Sequence, residues 1–103
     1  MIVRIDDDAL EEARQQTLFY MERDPAVAQE FIDVLRHAFR NIGDSPASFP
    51  FLESIGRNRR FRRVRLKGFP IFVVYEVLDK EVLVVAVAHA ARRTGYWRGR
   101  LKR

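Results

Sequence analysis

Residues 61–89 constrain the fold more than any other part of the chain. Three segments rich in β-branched and aromatic residues, Phe61–Lys67, Phe69–Leu78 and Val82–Ala88, follow one another with short turns between them. That pattern specifies consecutive antiparallel strands. In the first, Val64 and Leu66 share one face while Arg63, Arg65 and Lys67 share the other, so one side must be solvated or meet a partner. Pro70 has no N–H for a ladder and belongs at a strand start or a bulge. After it, Ile71, Val73, Tyr75 and Val77 alternate with Phe72, Val74, Glu76 and Leu78. Asp79-Lys80 is the turn. The last segment is apolar on both faces, as a strand covered on both sides would be, and simple alternation groups His89 with Leu83, Val85 and Val87.

The first half reads differently. Ile2–Ile5 is a short apolar stretch, an edge strand. Asp7 or Asp8 is expected to cap a helix, with Asp8 and Glu11 at capping-box spacing and the acids complementing the helix dipole. In this helix Leu10, Ala13, Thr17, Leu18 and Met21 recur at helical spacing, with Tyr20 near the edge of that stripe and Glu12, Gln15 and Gln16 on the wet side. Asp24-Pro25 ends the first helix and starts the second, pairing an N-cap with a proline at the first helical position. The second stripe is Ala28, Phe31, Leu35, Ala38, Phe39 and Ile42, with Gly43 as the expected C-cap. The two helices form a hairpin whose apolar face needs a sheet to cover it.

Asp44–Gly56 is the one long connection. Phe49, Phe51, Leu52 and Ile55 are too apolar for a free linker and are expected to fold back, with a helical turn at Phe51–Ile55. The order is therefore β-α-α-β-β-β, an α+β sandwich of two layers with the helix hairpin on a small, mainly antiparallel sheet. The chain, 103 residues long, is read as a single domain, 1–103.

Charge divides the chain as sharply as its pattern does. Residues 1–56 hold five arginines and 11 acids; residues 57–103 hold 14 Arg and Lys and three acids. Eleven of those 14 are arginine, the side chain suited to paired hydrogen bonds with carboxylate or phosphate. The basic half is expected to present a positive face to an anionic partner: RNA, DNA or an acidic protein segment. No helix-turn-helix or zinc finger supports sequence reading of DNA, although a basic run with interleaved aromatics is compatible with simple nucleic-acid binding. The absence of cysteine excludes disulfides and thiolate zinc sites and suits a reducing cytosol. The N-terminus does not read as a signal peptide, and no uncharged run reaches the roughly 18–20 residues of a membrane span. A cytoplasmic location is expected.

Several side chains are candidates for function. Arg60, Arg63, Arg65 and Lys67 form the best electrostatic surface. Arg92, Arg93 and Arg100 follow the last strand and could hold a carboxylate or phosphate. Tyr96 and Trp97 either pin the tail to the core or anchor an interface. His89 is a possible base, weighed against a structural histidine whose ring bonds the neighbouring chain end; His37 reads as surface. Two separated histidines give no metal site, and no cofactor is implied.

Two opening helices, a basic strand, Phe69-Pro-Ile-Phe-Val-Val-Tyr75, then Val82-Leu-Val-Val-Ala-Val-Ala-His89 and Arg92-Arg93-Thr-Gly-Tyr96-Trp97 together resemble the RelE/ParE toxins of bacterial type II toxin–antitoxin modules, and the ParE-like branch in particular. The resemblance spans essentially the whole chain. It implies a toxin in a hetero-oligomeric complex with a cognate acidic antitoxin encoded by an adjacent gene. The implied target is DNA gyrase, poisoned by binding, or in the RelE-like branch messenger RNA cut on the ribosome. RNA cleavage would use Arg93 and Tyr96, with His89 as a possible base. The central-strand arginine of that branch has no counterpart near Pro70-Ile71, and the region before the sheet offers Arg59, Arg60, Arg62 and Arg63 but no lysine until Lys67. Arginine stays protonated and is a poor base, so the expected activity is inhibition by binding.

Overall fold

The computed structural model describes residues 1–52 and 60–102. The element order is β1 (Ile2–Ile5), α1 (Asp7–Arg23), α2 (Pro25–Asp44), β2 (Phe61–Arg65), β3 (Ile71–Val77) and β4 (Glu81–His89), with 3₁₀ segments at Pro46–Ser48 and Tyr96–Lys102. The sheet order is β1-β4-β3-β2. β2, β3 and β4 are antiparallel neighbours, while β1 lies parallel to β4 along its outer edge. This is the two-layer α+β arrangement that the pattern specifies.

Asp24 caps α2 through a hydrogen bond accepted from the Ala26 N–H at 2.9 Å, with Pro25 at the first helical position. A cap of this kind contributes about 1 kcal/mol. Phe31, Leu35, Ala38 and Ile42 of α2 are buried against the sheet face formed by Ile71, Val73, Tyr75, Val82, Val84 and Val87, and Ala28 is also buried. Phe31, Phe69 and Tyr20 pack at ring separations of 5.1–5.3 Å and close one end of this core. Full burial of each large side chain contributes about 1.5–3 kcal/mol.

α1 departs from its expected orientation. Its buried residues are Ala9 and Ala13, while Leu10, Leu18 and Met21 are 56%, 43% and 45% exposed. Small side chains let the helix backbone approach its neighbours closely, so the inward face is marked by size and not by hydrophobic bulk. The start also differs: Asp6 is the N-cap and accepts from the Asp8 N–H at 3.1 Å, in place of the expected Asp8–Glu11 box. Gly43 does not end α2, which continues to Asp44 with Ser45 as the C-cap. The N-terminal amine donates to the Gly43 carbonyl at 2.7 Å, and a Cβ on Gly43 would stand 3.1 Å from Met1 O and Val3 Cγ2. Close approach, not helix termination, suits glycine there.

The β4 alternation is interrupted. Val74 faces Ala86 across the ladder and Tyr75 faces Val84, so Val85 is an extra residue on β4. Such a bulge switches the inward and outward sets downstream. Leu83 and Val85 therefore face away from the helices, whereas Val87 packs in the helix-side core, and the expected grouping of His89 with Leu83, Val85 and Val87 does not hold. Opposite the helices, Phe61, Val74, Val85, Ala86, Ala88 and Trp97 form a second, smaller core under the C-terminal 3₁₀ segment.

The long connection folds back as expected where it is described. Phe49 packs edge-on against Tyr75, whose hydroxyl donates to Pro46 O at 2.6 Å. Arg62 donates to the carbonyls of Ala47 and Phe49 at 3.1 and 2.6 Å. Phe51 is bridged to Arg62, which adds a short rung to the β2 edge. The rest of the expected turn at Phe51–Ile55, with Arg57 and Arg59 of the basic run, lies outside the described residues.

Candidate functional site

On the sheet face away from the helices, β2, β3, the end of β4 and the C-terminal segment enclose a small cleft. Arg63, Arg92, Arg93, Thr94 and His89 contribute polar atoms to its lining, and Phe72, Val74, Ala88 and Trp97 contribute apolar surface. Its volume is about 40 Å³, room for a carboxylate or a few waters and far below a cofactor pocket. The strand period places Arg63 and Arg65 on this face, where their guanidinium carbons lie 4.4 and 5.6 Å from the centroid of the Phe72 ring. Arg92 lies 3.9 Å from the centroid of Tyr96. Stacking of this kind orients a guanidinium without using its N–H donors. Among the described residues, none of these arginines is paired with a carboxylate.

Beside the cleft, Glu12 of α1 gathers three groups. Its Oε1 accepts from the Val87 N–H at 3.1 Å and from Arg100 Nη1 at 2.8 Å, and its Oε2 accepts from the Tyr96 hydroxyl. Arg100 also donates to Val85 O at 3.0 Å and lies 3.6 Å from Asp8. Burial, followed by the hydrogen bond to Glu12, pushes the Tyr96 phenol well above its ordinary value. The hydroxyl is thus a committed donor and a poor base. The Glu12 carboxylate ties the tail to α1 and to β4 in one contact set.

The family profile described as ParE toxin of type II toxin-antitoxin system, parDE, matches residues 3–94. The chain belongs to the ParE toxin family. It is therefore the toxin component of a type II toxin–antitoxin module, with a cognate antitoxin as partner. A solved structure described as the chromosomal ParDE TA system from P. aeruginosa has the same fold, with a TM-score of 0.71 at 14% identity over 86% of this chain and 95% of that one. No curated protein matches the sequence.

The residues singled out in this ParE-family toxin divide into two groups. Arg63, Arg92 and Arg93 meet at the cleft, with Arg65 beside Arg63 on β2. Arg60 and Lys67 are exposed at the two ends of β2, and Arg60 lies 5.2 Å from the Phe51 centroid. Trp97, by contrast, is buried, packed edge-on against Phe61 at 6.3 Å. Arg100 is half-buried in its contacts with Glu12, Asp8 and Val85 O. The position of both is that of a pin between tail and core. His89 is exposed, and its Nδ1 accepts from the Ala91 N–H at 3.0 Å, which holds the ring at the strand end. His37 is also exposed.

Sequence reasoning missed Glu12, placed among the solvated residues of α1. Its position three residues after Ala9 and next to Ala13, the small buried residues of α1, on a chain whose tail is basic, is the signal that could have found it. Among the described residues no group of His, Cys, Asp and Glu is arranged to hold a metal ion, and no helix is long and apolar enough to cross a membrane.

Proposed function

We propose that this toxin arrests growth by binding DNA gyrase, without catalysing a reaction, and that an acidic antitoxin encoded by an adjacent gene neutralises it by covering the basic sheet face. The observation that carries the reading is the use of Tyr96. Metal-free RNA cleavage needs a base near the 2′-hydroxyl, an acid near the leaving oxygen and cations around the phosphate. Here the Tyr96 hydroxyl donates to Glu12, and Arg93, its neighbour in the expected catalytic pair, carries a guanidinium with donors only and no acceptor lone pair. His89 keeps one ring nitrogen on the Ala91 amide. These side chains serve structure and charge better than proton transfer.

Antitoxin recognition follows from the unpaired arginines. Acidic residues of the antitoxin would meet Arg63, Arg65 and Arg93, and apolar residues would cover the surface beside them. Salt would then slow association more than dissociation. Induction of the toxin alone in a bacterial host tests the target, with DNA supercoiling and protein synthesis followed separately. Lost supercoiling activity with translation initially intact is the expected result. An early stop in translation, relieved by Tyr96→Phe or Arg93→Ala, would instead establish ribosomal RNA cleavage and overturn the proposal.

A further inference from the structure

The arginine-lined cleft is more than a patch of positive charge. A solvated cationic surface usually keeps its arginines mobile, and holding them costs side-chain entropy. Here Arg63 is stacked on Phe72 and Arg92 on Tyr96, and the Tyr96 ring is itself fixed through its bond to Glu12. Part of that entropy is therefore lost before any ligand arrives. The other arginines of the tail and sheet show that the chain can satisfy guanidinium groups internally when they are structural. Arg100 reaches Glu12 and Val85 O, and Arg62 reaches two carbonyls of the connection. Among the described residues, Arg63, Arg92 and Arg93 have no such internal acceptor.

We propose that this cleft is a receptor for one carboxylate side chain of an acidic peptide, held by Arg63, Arg92 and Arg93 with Thr94 at the rim. Its size selects the ligand class. About 40 Å³ fits a carboxylate-sized group. Its floor of Phe72, Val74, Ala88 and Trp97 suits the methylene stem of a glutamate or aspartate. A carboxylate bound by stacked arginines gains charge-assisted, paired hydrogen bonds in a partly desolvated setting, where each is stronger than on an open surface. The inference deepens the antitoxin reading above and rests on it for the source of the peptide, not for the chemistry of the cleft.

The test uses the full-length toxin labelled with ¹⁵N, and follows the arginine Nε–H and backbone amide signals. The probes are an octaglutamate peptide and, separately, an eight-residue oligothymidylate. Octaglutamate is expected to shift the Arg63, Arg92 and Arg93 side-chain signals and the Thr94 amide, and to bind at least ten times more tightly than the oligothymidylate. Arg63→Lys and Arg92→Lys keep the charge but lose the stacked fork, and each should weaken octaglutamate binding about tenfold; Arg40→Lys, exposed on α2 and outside the basic sheet face, should change it less than twofold. Equal losses in all three variants would show a diffuse charge effect and overturn the proposal. Tighter binding of the oligothymidylate through the same arginines would overturn it in favour of nucleic acid. Growth arrest is scored in parallel with the wild-type chain. Arrest without octaglutamate binding removes the receptor and leaves the toxin reading standing. Binding without arrest supports the receptor and removes the proposed target.

Discussion

Arg92 and Arg100 stand eight positions apart on the same basic tail and are put to opposite uses. Arg100 turns inward, bonded to Glu12 and Val85 O and close to Asp8. Arg92 turns outward over the Tyr96 ring, at the rim of the cleft with Arg93. Both contact Tyr96, with guanidinium carbons 5.2 and 3.9 Å from its ring centroid. Their difference is the acceptor: α1 supplies Glu12 to one, and among the described residues the sheet face supplies no acid to the other. One residue type thus serves as an internal fastener and as a recognition element. Neither its identity nor its sequence neighbours separate the two roles.

Removing the support shared by both should have the largest effect. Trp97→Ala empties the second core beneath the tail and is expected to cost about 3–5 kcal/mol in urea denaturation. Trp97 is the chain's one tryptophan, so wild-type fluorescence should be blue-shifted and poorly quenched by acrylamide. A loss below 1 kcal/mol would mean that the tail contributes little to the fold.

Glu12→Leu tests the inward member of the comparison. It leaves Arg100, Tyr96 and the Val87 N–H without their acceptor, and should cost about 2–3 kcal/mol at this partial burial. The variant should also release the Tyr96 ring and so loosen Arg92, weakening the outward site at a distance. Stability unchanged to within 0.5 kcal/mol would dissolve the distinction between the two arginines.

The smallest effect sharpens it. Tyr96→Phe keeps the ring beneath Arg92 but removes the bond to Glu12, at about 1 kcal/mol near neutral pH. Burial and Glu12 raise the Tyr96 phenol in the folded state, so its contribution is complete below the ordinary tyrosine range near pH 10 and declines as pH rises toward the folded value. Tyr20 and Tyr75 are raised too, mainly by burial, and add to the same alkaline decline. Tyr96→Phe should reduce that slope by up to about 1.4 kcal/mol per pH unit, read from denaturation curves above pH 10. An unchanged slope would place Tyr96 outside the coupling. Growth arrest should persist in this variant.

What could be read from the sequence follows the physics of each element. α2 was legible because its inward side chains are large, recur at the helical period and begin at Asp24-Pro25. The sheet was legible because β-branched and aromatic runs are bounded by short turns. The helix α1 was legible too but its inward face was not, since Ala9 and Ala13 mark that face less visibly than Leu10, Leu18 and Met21 mark the outer one. The bulge was hidden because Val85 and Ala86 are both apolar and either face accepts them. At the site, the strand period placed Arg63 and Arg65 together, and the two arginines after β4 were visible as a pair. The role of Glu12 depends on Tyr96 and Arg100, 84 and 88 positions away, and no local pattern encodes that meeting.

The extra residue on β4 has a consequence for how this chain can change. β1 ends at Ile5, so the flank of β4 beyond it is no longer paired by a strand, and the bulged Val85 has no partner on β3. Arg100 takes the Val85 carbonyl and Glu12 takes the Val87 N–H. Deleting Val85 would restore an even ladder and leave Ala86, Val87 and Ala88 on their present faces, but it would remove the carbonyl that Arg100 grips and draw in the strand beneath the tail. Substitutions can tune the fastening between tail and sheet, but a length change in β4 would dismantle it. Shortening β4 would therefore be tolerated only with compensating changes in both α1 and the C-terminal segment.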